Sequence, residues 1–167
     1  MNEHEVYMRL ALDEARQALA TGDFPVGCII VQGGAVVATG RRKNSAGGAN
    51  ELDHAEIVAM RSLLDDRPEV DFLEVTVYST MEPCLMCFST MLVNNINKIV
   101  FGYEDAMGGG TNLPLAALAP LYAEKQIEIT RSVLRAECLG LFQQFFRERP
   151  EGYLHDSLLA RYTLMAS

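Results

Sequence analysis

The sequence predicts a single α/β domain, with five strands in one mixed sheet and helices packed against it. Two observations carry that expectation. Helical and strand patterns follow one another in the order α-β-β-α-β-α-β-α-β-α, which fits a sheet covered by helices. The chain has 167 residues, 49% of them hydrophobic and 22% charged, which suits one well-buried core.

Residues 3–20 set Val6, Leu10, Ala15 and Leu19 among charged residues. That is an amphipathic opening helix, ended by Gly22 and Pro25. VGCIIV (26–31), the turn QGG (32–34) and AVVATG (35–40) make a β-hairpin. The polar, glycine-rich RRKNSAGGANEL (41–52) is a loop, and helix resumes at His54 to run to about Leu64. EVTVYST (74–80) has strand composition. A helix follows from Pro83 to about Asn94, and KIVFGY (98–103) is the next strand. DAMGGGTN (105–112) is a glycine-rich loop, Pro114–Leu118 a short helix, QIEIT (126–130) the last strand and Ser132–Arg147 a long helix. Pro150 and Gly152 divide a domain of residues 1–150 from an extension, 151–167, that is helical in pattern between about Asp156 and Met165.

Composition narrows the function. No apolar run approaches the ~20 residues that span a membrane, and the opening MNEHEVYMRL has no signal-peptide pattern. A cytoplasmic protein with no membrane partner is therefore expected. In that compartment four cysteines are not expected to form two disulfides, and a close pair points to metal binding or catalysis. The net charge of −8 disfavours a polyanion as the main ligand, since phosphate neutralisation needs a basic surface.

The close pair is Cys84-x-x-Cys87, behind Glu82-Pro83. Alone it could be a redox pair, half of a closed structural zinc site, or two ligands of a catalytic metal. Pro83 suits the first position of a helix, where its missing N–H is not needed. Cys84 and Cys87 would then share one helical face near the N-terminus, where the dipole favours thiolate. His54 adds a neutral imidazole. One nitrogen and two sulfurs leave the fourth position of a tetrahedral zinc open for a water, whose pKa falls to about 7. Glu56, two residues beyond His54, could carry the proton as a general acid–base.

Plainer readings compete. Asp53-x-x-Glu56 fits a capping box, with Asp53 as N-cap and Glu56 folding back. His54 alone is more often a satisfied polar residue. A closed zinc site would need a fourth ligand from Cys28, Cys138, His4 or His155, none at matching spacing, and Cys28 and Cys138 sit in apolar runs as core residues. Taken together, His54, Glu56, Cys84 and Cys87 with Pro83 favour the catalytic metal.

The H-x-E and P-C-x-x-C pattern is similar to the signature of zinc deaminases. With FPVGCIIV, the asparagine of GRRKN, HAEIVA, STMEPCLMC, KIVFGYEDAMGGG and EITRSVLRAECLGLFQQFFR, the chain resembles the cytidine deaminase superfamily over about residues 5 to 149. Within it the chain is most similar to the bacterial tRNA adenosine deaminases. The resemblance implies a three-layer α/β/α sandwich: a five-stranded mixed sheet with helices on both faces, assembled as a homodimer. It implies Zn2+ bound by His54, Cys84 and Cys87, Glu56 as proton shuttle, and substrate contacts from Asn44, Glu82 and Pro83. The reaction implied is hydrolytic deamination of a nucleobase amine, adenosine in tRNA first. Alternatives are a free base, nucleoside or nucleotide (guanine, cytosine, cytidine, dCMP) and, in another class, a non-catalytic zinc-stabilised subunit or a thiol oxidoreductase.

Three features depart from the tRNA enzymes. The loop SAGGANELD lacks their proline, Phe88-Ser89-Thr90 replaces small residues after Cys87, and EGYLHDSLLARYTLMAS replaces an Arg/Lys-rich tail. Phe88 would reshape nearby space or serve as a core residue. Arg41-Arg42-Lys43 reads first as solvated surface and second as a phosphate contact.

Overall fold

The structure, a computed structural model, describes residues 2–48 and 50–167; Met1, and Ala49 of the 41–52 loop, lie outside the described residues. The elements are α1 (Glu3–Ala20), β1 (Gly27–Gln32), β2 (Ala35–Arg41), α2 (Ala55–Asp66), β3 (Val75–Met81), α3 (Leu85–Val93), β4 (Lys98–Tyr103), α4 (Pro120–Ala123), β5 (Glu128–Thr130), α5 (Arg135–Glu148) and α6 (Leu158–Met165). Short 3-10 turns cover Phe72–Glu74 and Leu115–Ala117. The expected short helix near Pro114 is the second of these turns, and α4 was not foreseen.

The five strands form one sheet in the order β2-β1-β3-β4-β5. β1 runs antiparallel to β2 and β3, while β3, β4 and β5 are parallel. The mixed sheet is thus a hairpin joined to a parallel half, as the alternating pattern implies. Gly33 and Gly34 both have positive φ, 58° and 80°. That is the two-residue turn whose twist matches its strands, and it is why QGG closes the hairpin.

Two glycines seat the helices. Gly27 pairs with Arg41 and Cys28 with Gly40, so Gly27 and Gly40 face opposite sides of the sheet. A Cβ on Gly27 would lie 2.0 Å from the Ala11 carbonyl oxygen of α1, and one on Gly40 would lie 2.3 Å from that of Ala55 in α2. Helix backbone therefore rests on bare strand on each face. α5 packs with α1, and α3 with α2, completing the three layers. Burial on both faces explains why Cys28, Ile29, Ile30 and Val31 of β1 are all apolar or small and all buried.

Helix α1 differs from its expected face. Its buried stripe is Met8, Ala11, Leu12, Ala15, Ala18 and Leu19, a continuous i, i+3, i+4 pattern. Val6 and Leu10 are 44% and 42% exposed. The helix starts with a capping box: Glu5 N–H donates to Asn2 (2.9 Å) and Asn2 N–H to Glu5 (3.3 Å).

Beyond Pro150 the chain turns tightly, with Leu154 and Asp156 both in the left-handed region (φ 58° each). It then forms α6, whose Leu159, Ala160 and Thr163 are buried. Gln143 of α5 donates to the Thr163 and Ala166 carbonyls (3.1 and 2.9 Å). Glu104 accepts from Arg135 (2.7 and 2.9 Å) and from the Tyr162 hydroxyl (2.8 Å). Among the described residues no helix is long and apolar enough to cross a membrane.

A Gly40→Ala variant is expected to lose about 1–3 kcal/mol of stability, because the methyl group meets backbone that cannot rotate away. A denaturant midpoint equal to the parent's would show that α2 does not rest on β2 as described. The Arg135 guanidinium, against some opposing burial, holds the Glu104 carboxyl below the usual glutamate range. That stabilisation is fully present above the ordinary glutamate pKa of about 4.3. It is lost as pH falls through the lowered folded value. Tyr162 fluorescence should thus report α6 loosening below about pH 4.3, with that step missing in Glu104→Gln; identical acid profiles would exclude the linkage.

Candidate metal centre and active site

The centre is built from two helix starts. His54 and Cys84 are the N-cap residues of α2 and α3, both with extended backbone (φ −65°, ψ 148° and φ −67°, ψ 172°). Each gives its carbonyl to the first helical bond, His54 to Val58 N–H and Cys84 to Phe88 N–H (both 2.9 Å). Neither side chain caps its own helix, so both point outward, toward each other. α3 begins at Leu85 rather than at Pro83, correcting the expected first-turn position of that proline. The reason is the 105–111 loop: Gly110 N–H takes the Pro83 carbonyl (2.9 Å) and Cys84 pairs with Gly109 in an isolated bridge. These bonds hold residues 83 and 84 extended.

His54 Nδ1 lies 3.5 Å from Cys84 Sγ and 3.6 Å from Cys87 Sγ. Zinc bonds of roughly 2.0–2.1 Å to nitrogen and 2.3 Å to sulfur, at a tetrahedral angle, put those atoms about 3.6 Å apart. The donor set thus has the spacing that the ion requires, and His54, Cys84 and Cys87 are a group able to hold a metal ion among the described residues. Cys28 and Cys138 are fully buried core residues. His4 faces the Tyr78 hydroxyl (3.0 Å) and His155 sits at the exposed tail.

Electrostatics suit cation binding. The Cys87 thiol, donating to Cys84, brings the Cys84 thiol down to about 4 against burial, with His54 also contributing. Burial pulls His54 down, but the Cys84 sulfur beside it and the Glu56 charge hold it up at about 9. These shifts favour charge on His54 and Cys84, while the contact with Cys84, burial and the nearby Glu56 charge push the Cys87 thiol up. Metal binding replaces the protons of its ligands.

Glu56 is 3% exposed. Its Oε1 accepts from the Ser79 hydroxyl of β3 (3.1 Å) and its Oε2 faces Cys87 Sγ (3.5 Å). The capping-box alternative is corrected: Asp53 is not the N-cap, and its Oδ2 takes the amides of Asn44 and Asn50 instead (2.7 Å each). Because His54 lies outside the helix, the 100° turn per residue does not separate it from Glu56. Burial, then the nearby Cys84 charge, pushes the Glu56 carboxyl up, toward the range useful to a proton shuttle.

A cavity of about 280 Å³ opens in front of His54, Glu56 and Cys84. Phe24, Val26 and Met81 wall it from within, and Tyr153, Leu154 and Leu159 from the C-terminal segment. Glu82 also lines it, whereas Asn44 and Pro83 do not. Asn44 is exposed, in the left-handed region (φ 59°), with its amide on Asp53. Phe88 is 1% exposed and belongs to the core rather than to the cavity. The basic run is engaged elsewhere: Arg41 bonds Glu14 and Gln17 (3.1 and 2.9 Å). Arg42 is buried, with its guanidinium on the Lys43 and Asn50 carbonyls (2.7 and 2.6 Å) and 5.4 Å from the Tyr153 ring centre. Arg42 is therefore turned away from a phosphate, and Arg41, its side chain 36% exposed, is paired with α1.

Glu82 serves the frame. Its Oε2 accepts from Asp105 N–H (3.1 Å), its Oε1 from the Thr111 hydroxyl, and Arg131 stands 3.8 Å away. Gly109 and Gly110 lie so close that a Cβ would be 2.6 Å from the Glu82 carboxyl and 2.7 Å from Leu85 Cα. The loop is thereby fastened to the turn that carries Cys84. Sequence reasoning missed Glu51, Arg42 and Tyr153 as neighbours of the site, since they meet only through tertiary packing.

An open three-layer fold that offers one imidazole and two thiols from two helix starts, with a buried carboxylate beside them, defines a zinc-dependent deaminase. Residues 1–103 match the family model described as the cytidine and deoxycytidylate deaminase zinc-binding region, and the chain belongs to that family. It is 31% identical over 147 residues to a tRNA-specific adenosine deaminase of Haemophilus influenzae, covering 88% of this chain and 85% of that one. To the tRNA-specific adenosine deaminase of Bacillus subtilis it is 30% identical over 148 residues, covering 89% and 91%. A solved structure from a study of A-to-I editing by tRNA:A34 deaminases superposes with a TM-score of 0.67 at 24% identity, covering 78% of this chain and 99% of that one.

Glu82→Ala is expected to cost about 1–3 kcal/mol, because it strands the part-buried Asp105 N–H and the buried Thr111 hydroxyl. Protease susceptibility of the 105–111 loop should rise with it; a loop as resistant as the parent's would remove the fastening role.

Proposed function

We propose that the chain is a hydrolytic deaminase of a nucleobase amine, with His54, Cys84 and Cys87 holding the metal and Glu56 moving the proton. The observation that supports this best is the 3.5 and 3.6 Å nitrogen–sulfur spacing with the buried Glu56 carboxylate at its edge. Bound there, zinc supplies Lewis acidity that brings the pKa of a water to about 7. The chain's own residues do the rest. Glu56, steadied by Ser79, takes the proton of the attacking water, gives it to the ring nitrogen and then helps the amine leave as ammonia. Phe24, Val26 and Met81 keep bulk water from the ring, and the Glu82 network holds the Cys84 turn still.

Adenosine in tRNA is the first substrate proposed, because the relatives at 30% and 31% identity carry that name. A small free base, nucleoside or nucleotide is the second reading, favoured by one observation. The cavity's outer wall is the C-terminal segment, and Glu51, Glu82 and Asp105 line it with Arg42 turned to carbonyls. A homodimer and a cytoplasmic location belong to the same proposal; the exposed Leu85 and Val93 of α3 support the former.

The test is ammonia release from tRNA, adenine, guanine, cytosine, their nucleosides and dCMP, beside Glu56→Ala. That variant should keep its zinc and lose roughly 10²–10⁴-fold in rate. Release at the parent rate would remove the shuttle, and a zinc-loaded protein inert on the whole panel would favour a non-catalytic subunit.

A further inference from the structure

One oxygen beside the metal centre gathers more donors than any local need explains. Glu51 Oε2 stands 3.2 Å from His54 Nε2, 2.8 Å from the Tyr153 hydroxyl and 3.4 Å from Arg42 Nη2. Glu51 lies in the loop before α2, three residues ahead of His54, while Tyr153 comes from beyond α5, 102 residues away. Each member is held independently. Arg42 is 2% exposed, fixed by two backbone carbonyls, and lies under the Tyr153 ring. Tyr153 in turn packs on Phe24, ring centres 5.4 Å apart. It precedes a turn with two non-glycine residues in the left-handed region, a conformation kept only when surroundings over-determine it.

We propose that Glu51 is the positioning residue of His54, and that Tyr153 clamps it there from the C-terminal segment. His54 Nδ1 faces both sulfurs, so Nε2 carries the ring proton and donates it to Glu51. That contact selects the tautomer and fixes the ring plane, the task that a carboxylate behind a metal-binding histidine performs. The Tyr153 hydroxyl donates to the same oxygen, so this 57% exposed carboxylate is held toward His54 while the segment is docked. The segment that walls the cavity thus also sets the readiness of the metal ligand. This inference rests on His54 being a ligand, as proposed above.

The readout is zinc affinity, measured by competition with a chromogenic chelator on the full chain. Glu51→Ala should weaken zinc binding by roughly 10–100-fold. Glu51→Gln, whose amide oxygen still accepts, should retain most of it. Tyr153→Phe keeps the ring against Arg42 and Phe24 and loses only the hydroxyl, and should show a smaller loss in the same direction. Since Tyr153 acts through Glu51, the Glu51→Ala/Tyr153→Phe double variant should bind zinc no more weakly than Glu51→Ala. In each variant added zinc should raise kcat toward its saturating value, a rescue that a misfolded protein would not show. Parent-like zinc affinity in Glu51→Ala would overturn the proposal, and additive losses in the double variant would overturn the clamp. A parent protein that takes up no zinc would overturn the ligand reading and this inference together.

Discussion

The metal centre depends on how close α2 comes to the sheet. With only hydrogen on Gly40, the Ala55 carbonyl and Ala59 N–H lie where a methyl group would be, and that contact fixes the height of the α2 start above β2. His54 and Glu56 lie within one residue of the contact. One step along the same strand pair, Gly27 does the same for α1 on the far face, so the sheet is gripped between two helices at adjacent positions. A centre that needs its donors within a few tenths of an ångström is thereby mounted on backbone contacts, which have no rotamers to sample.

Around that mount, polar groups are used for position rather than for surface. Glu82 holds the 105–111 loop against the Cys84 turn, Ser79 steadies Glu56, and Asp53 gathers Asn44 and Asn50 below His54. Leaving both N-cap side chains out of capping costs each helix start about 1 kcal/mol. At the Cys84 start, contacts from the 105–111 loop hold the backbone instead. The cysteine and histidine are therefore where they are because the helices begin there, not because they stabilise the helices.

Much of this was legible in the sequence. The alternation of patterns gave all five strands, and the glycine pair at 33–34 located the hairpin. That His54, Cys84 and Cys87 come together was readable because metal geometry restricts ligand types and spacing so strongly. Glu56 entered only through the H-x-E pattern. What failed did so for tertiary reasons. Pro83 looks like a helix start, but its carbonyl is claimed by Gly110. Asp53 looks like a cap, but two asparagine amides reach it first. Val6 and Leu10 look like core, but the neighbouring Met8–Leu12 stripe makes the better-packed ridge. Arg42 looks like surface in a basic run, yet the C-terminal segment folds over it, and no local pattern announces a contact made 111 residues later.

The wall formed by Tyr153, Leu154 and Leu159 has a consequence in time. All three donors and Glu56 are in place in the chain by residue 87, whereas the outer wall comes 66 residues later. At roughly 5–20 residues per second, a ribosome takes several seconds to bridge that interval. During it the apolar faces of Phe24 and Met81, which line the cavity, lack that wall. The order of the chain thus places every candidate donor ahead of both the 105–111 loop that fastens Cys84 and the segment that walls the cavity.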